Sequence, residues 1–121
     1  MKVLFLKITL RASYVHSLKE KRMIMRSITQ RLKNKFNISI AECDTQDIHT
    51  IINIGIVSLC ESSSQVDSKA EDIINFIECN TDAEIINIEK DEEKDKKVFS
   101  GVYEGKTRFI RKAVRSEEHT S

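Results

Sequence analysis

The chain has 121 residues, 40% of them hydrophobic, and carries 20 Lys and Arg against 19 Asp and Glu, a formal net charge of +1. That length suits one domain with one real core, and no run approaches the ~18 consecutive apolar residues of a membrane span. The near-zero net charge conceals a segregation: residues 1–40 hold ten Lys and Arg and one acid, Glu20, residues 41–95 hold fifteen acids and three Lys, and the remainder is basic again. Such asymmetry is expected either of a nucleic-acid-binding chain or of one whose basic and acidic parts face each other.

Residues 2–10 alternate as a strand, with Leu4, Leu6, Ile8 and Leu10 on one face and Val3, Phe5, Lys7 and Thr9 on the other. The apolar opening Val3-Leu4-Phe5-Leu6 is too short, and too soon interrupted by Lys7, for a secretory signal. Arg11 to His16 read as a loop. Ser17 and Glu20 have the Ser-x-x-Glu spacing of a capping box, in which the hydroxyl accepts from the Glu20 N–H and the carboxylate reaches back to the N–H of Ser17. A helix therefore starts at Ser17 and runs to about Lys35, with Leu18, Ile24, Met25, Ile28 and Leu32 as its core stripe. Phe36 to Cys43 form a second strand with Ile38 and Ile40 inward, Asp44 to Asp47 a turn, and Ile48 to Cys60 a long third strand.

A second helix is expected over Gln65 to Cys79, with Ser64 and Asp67 as its cap and Val66, Ala70, Ile73, Ile74 and Ile77 at helical spacing. Ala83 to Glu89 form the fourth strand. The resulting order, βαββαβ, is the signature of a ferredoxin-like α+β sandwich: a four-stranded antiparallel sheet with two helices on one face. Residues 1–90 make the domain. From Lys90 to Lys97 the chain is charged without apolar residues and reads as a solvated linker opening a flexible tail, 91–121, in which Val98 to Tyr103 add an edge strand or nothing. The last residues, Arg115 to Ser121, read as the translation of a sequencing adapter, so His119 carries no functional weight. Cys43, Cys60 and Cys79 show no metal or redox spacing and read as buried, reduced thiols of a cytosolic protein.

His16-Ser-Leu-Lys-Glu-Lys-Arg22, then Lys35-Phe-Asn-Ile-Ser-Ile-Ala-Glu42, then Gln46-Asp47 together resemble the YlxP-like family, a bacterial domain of unknown function, over roughly residues 1–90. The resemblance implies a small, cytoplasmic, ferredoxin-like protein. The family's genes often stand beside those for translation initiation factor two and a ribosome-maturation factor, which implies a role near translation or ribosome assembly. It implies no catalytic residue and no cofactor. Cys43, where a branched aliphatic is more usual, and the tail past Lys90 depart from the family pattern.

The leading candidate surface is a row on the first helix. Lys19, Arg22, Arg26 and Lys33 fall within about 60° of one another, with Gln30 close by, and such a row can follow phosphates without reading sequence. The competing reading is a solvated face whose cations pair with Asp67, Glu71, Asp72 and Glu78 on the second helix, worth little in stability. His16, with Ser17 and Glu20, forms the loop and cap beside that row; His16 is placed either to meet a phosphate or act as acid or base, or simply to pack at the helix start. The loop after the first strand lacks the glycines of an acylphosphatase phosphate cradle, and His49, at a strand start, has no metal-ligating partner; Glu42, Asp44 and Asp47 read as solvated turn carboxylates. The open sheet face offers Val3, Phe5, Ile51, Val57 and Leu59, a patch expected to be covered by a second copy or the tail. The sequence thus points to a non-enzymatic cytosolic protein binding RNA or a ribosomal particle, without cofactor or metal. The alternatives are a homodimeric protein-interaction module and, further off, an acyl-phosphate or phosphate-ester hydrolase using His16 and Arg22.

Overall fold

A computed structural model describes residues 1–94, 99–103 and 109–113. The elements are β1 (Lys2–Arg11), α1 (Leu18–Lys35), β2 (Ser39–Glu42), β3 (Ile51–Cys60), α2 (Ser63–Asn80), β4 (Glu84–Lys94), β5 (Phe99–Tyr103) and β6 (Phe109–Ala113). The first sheet is antiparallel with strand order β2-β3-β1-β4, the ferredoxin-like arrangement. β5 pairs antiparallel with β6 in a separate two-stranded sheet; residues 115–121 lie outside the described residues.

Period-two patterning sets the layers. Leu4, Leu6, Ile8 and Leu10 of β1 and Ile52, Ile54 and Ile56 of β3 point to the helices and are essentially inaccessible, meeting Met25, Ile28 and Leu32 of α1 and Val66, Ala70, Ile73 and Ile77 of α2. Each such side chain contributes about 1.5–3 kcal/mol on burial. Ile52, Ile54 and Ile56, the phase of β3 opposite Ile51, Val57 and Leu59, are therefore covered by the helices.

Both helices begin with a serine cap of one design. Ser17 Oγ accepts from the Glu20 N–H at 3.1 Å, while Glu20 Oε1 accepts at 2.6 Å from the N–H of His16, one residue upstream of the partner the spacing suggested. In α2 the cap is Ser62, not Ser64: its hydroxyl accepts from the Gln65 N–H at 3.2 Å, and Gln65 Oε1 accepts from the Glu61 N–H at 2.5 Å. Glu and Gln at the third helical position are interchangeable in this role, so the helix starts where Ser-x-x-Gln lies.

Three further expectations are corrected. β4 does not end at Glu89; it pairs with β1 up to Lys94. β4 is an edge strand, and an edge needs only backbone pairing on one side, so its side chains can be charged on both faces: Lys90 on the helix side meets Asp67 of α2, and Glu92 accepts from Ser63 Oγ at 2.5 Å. β3 begins at Ile51, leaving His49 in an eight-residue connection, 43–50, where it is exposed. Of the three free thiols Cys60 is buried, Cys43 half-buried and Cys79 exposed.

Candidate nucleic-acid interface

α1 carries seven Lys and Arg between Lys19 and Lys35, and the structure sorts them by direction. Lys21 turns inward. It is 1% exposed and sits on the stripe of Met25, Ile28 and Leu32, at positions i+4, i+7 and i+11 from it. Its ammonium donates to three carbonyls of the β2–β3 connection, Thr45 O at 2.5 Å, Ile48 O at 2.6 Å and Ile51 O at 2.9 Å. Glu42 Oε2 lies 2.6 Å away. The ammonium's three donors go to carbonyls, so Glu42 Oε2 beside it accepts no hydrogen bond; it is the one buried side-chain polar atom among the described residues lacking one. Glu42 is thus not a solvated turn carboxylate but the counter-ion of a buried lysine. Lys21 was not singled out from the sequence; the available signal was its place in the apolar stripe.

Two cations face α2. Arg31 Nη1 donates to Asn80 O at 3.5 Å and Asn80 Oδ1 at 3.4 Å. Lys35 Nζ stands 5.8 Å from the ring centres of both Phe36 and Phe76, which pack edge to face. The remaining four, Lys19, Arg22, Arg26 and Lys33, are exposed, as is Gln30, and none has a hydrogen-bond or ion-pair partner among the described residues. Because Arg31 and Lys35 define the flank toward α2, the row lies on the opposite flank, and the carboxylates of α2 do not reach it. α1 packs over β2 while α2 packs over β1 and β4, so the row overhangs the β2 edge. His16 is exposed beside the start of the row, and its backbone N–H serves the cap.

The connection 43–50 is pinned from the other side of the sheet as well. Asn53, 6% exposed, accepts from Thr9 Oγ1 at 2.5 Å and donates to Thr45 Oγ1 at 3.1 Å. Lys7 pairs with Asp44 at 2.5 Å, and that hydrogen bond holds the Lys7 ammonium above its ordinary pKa of 10.5. Asp44 adopts the left-handed conformation with φ 65°, which an Asp tolerates. Burial pushes the Cys43 thiol up, and the Asp44 carboxylate adds to it.

On the open sheet face Val3 stands opposite Leu59 and Phe5 opposite Val57, with Phe5, Val57 and Leu59 exposed. Ile51 does not join this patch. It lies opposite Arg11, half-buried, separated by Asn53 and Gly55. A depression of about 450 Å³ over Gly55 is floored by Phe5 and Val57 and rimmed by Lys7, Glu89 and Asp91. Among the described residues no three His, Cys, Asp or Glu are grouped to hold a metal ion, and no helix is long and apolar enough to cross a membrane.

The βαββαβ order, the β2-β3-β1-β4 sheet and the two helices on one face define a ferredoxin-like α+β domain. The chain belongs to the family described as protein of unknown function (DUF503), which matches residues 3–90. It is 37% identical over 62 residues to the uncharacterized protein YlxP of Bacillus subtilis (strain 168), covering 51% of this chain and 67% of that protein. It is also similar to probable septum site-determining proteins MinC of Clostridium botulinum, 39% identical over 67 residues in strain Alaska E43 and 38% over 68 residues in strain Eklund 17B. In both, the match covers 54% of this chain but only 30% of the MinC protein.

Proposed function

We propose that this domain is a cytoplasmic, non-enzymatic protein that binds RNA or a ribosomal particle through the outer flank of α1. The observation that carries the reading is the division of labour on that helix: Lys21 is buried and Arg31 and Lys35 engage α2 at the surface, whereas Lys19, Arg22, Arg26 and Lys33 share one exposed flank with Gln30 and engage no described residue. Four like charges on one flank repel one another, and phosphates relieve that repulsion while releasing counter-ions. Binding to ribosomal RNA fragments over a salt series tests it. Four phosphate contacts weaken affinity roughly 100-fold between about 50 and about 200 mM salt. Arg22→Glu with Arg26→Glu abolishes binding and leaves stability unchanged, since both side chains are exposed. Undetectable binding by the wild type at low salt, or equal binding by the double variant, refutes it.

A second reading, a homodimeric protein-interaction module without nucleic-acid binding, is favoured by the patch of Val3, Phe5, Val57 and Leu59. Similarity to a 30% portion of the MinC proteins also suits a module that serves by contact. On this reading Phe5→Glu converts a dimer to a monomer by light scattering with helical content retained; a wild type that is monomeric at high concentration removes it.

A further inference from the structure

We infer that the backbone followed by the α1 row is that of double-stranded RNA rather than an unpaired strand, an inference resting on the RNA reading above. Lys19, Arg22, Arg26, Gln30 and Lys33 succeed one another at rises of about 4.5 to 6 Å, so the row spans about 21 Å in a nearly straight line. A rigid row of this kind matches a backbone that is itself already ordered. An unpaired strand is flexible, and proteins that bind one offset its ordering by stacking bases on aromatic side chains beside the cations.

That second ingredient is on other surfaces of this domain. Among residues 1–93 the exposed aromatic residues are Phe5 and Tyr14. Phe5 is on the open sheet face, and the helices cover the opposite one. Tyr14 lines a depression with Ile24, Ser27, Arg31 and Asn80, on the α2 flank of α1. Phe36 and Phe76 are half-buried against each other beneath Lys35. A strand lying along Lys19 to Lys33 therefore finds phosphate partners and, among residues 1–93, no aromatic platform for its bases. A duplex keeps its bases stacked within itself and presents mainly phosphates and 2′-hydroxyls, which is what a row of cations with one amide can recognise. The exposed carboxylates Glu71, Asp72 and Glu78 of α2 disfavour a polyanion on the other flank and so confine the contact to one side.

The test is fluorescence anisotropy of the full chain with a labelled RNA duplex of about 20 base pairs and with an unstructured uridine strand of equal length. The duplex binds at least about tenfold tighter, the equivalent of one missing stacked base, and Arg22→Glu with Arg26→Glu removes duplex binding. A strand bound as tightly as the duplex, or more tightly, overturns the double-strand inference while leaving the RNA reading intact. Binding of neither overturns both.

Discussion

Replacing Lys21 with Met keeps most of the volume and removes the ammonium, which isolates what the charge does. Three carbonyls, of Thr45, Ile48 and Ile51, lose their donor, and Glu42 loses its counter-ion. Removing one partner of a buried ion pair costs about 3–5 kcal/mol because the survivor stays desolvated. Glu42 is 15% exposed, so water relieves part of that penalty and the expected loss is near the lower end, about 3 kcal/mol, against a total of roughly 5–15 kcal/mol for a domain. Urea unfolding at matched slope measures it. Glu42→Leu added to Lys21→Met restores part of the loss, since an apolar pair no longer strands a carboxylate, while the three carbonyls stay unserved and keep the double variant below wild type. Hydrogen exchange in 43–50 rises in the single variant. A Lys21→Met protein within about 0.5 kcal/mol of wild type, or strict additivity with Glu42→Leu, refutes the claim that Lys21 holds this connection.

Ser17→Ala destabilises by about 1 kcal/mol; Glu20→Ala destabilises less, and the double variant falls short of the sum because both groups serve one cap, which unfolding of the three variants checks. A chain truncated after Lys90 melts below one truncated after Lys94, because Asp91 to Lys94 pair with Lys2 to Phe5; equal melting temperatures dismiss the extended β4. Alkylation of Cys43 rises with pH to a higher midpoint in the folded than in the denatured protein, because burial disfavours its thiolate, and coincident midpoints by peptide mass spectrometry contradict that.

Most of the fold was legible because period 2 and period 3.6 are written in Leu4–Leu10, Ile52–Ile56, Met25–Leu32 and Val66–Ile77, residues that make one core. The row Lys19, Arg22, Arg26, Gln30 and Lys33 was legible for the same reason: helical spacing alone fixes it. Lys21 was not, because a lysine ordinarily keeps its head in water, and only the fold brings three carbonyls and Glu42 to meet it. The end of β4 was hidden by charge, since edge pairing is a backbone property that Asp91, Glu92 and Glu93 do not advertise. Cys79 looked buried by residue type, yet falls on the exposed side of α2.

α1 meets its structural obligations entirely from its inner face and its α2 flank, through Lys21, Met25, Ile28, Arg31, Leu32 and Lys35. Positions 19, 22, 26, 30 and 33 are released from any such duty. Folding therefore exerts almost no selection on them, and on the proposed RNA reading the residues that stand there in related chains record what the helix touches from outside. Acidic residues at these positions in a relative would mark a domain that had exchanged its partner while keeping its architecture.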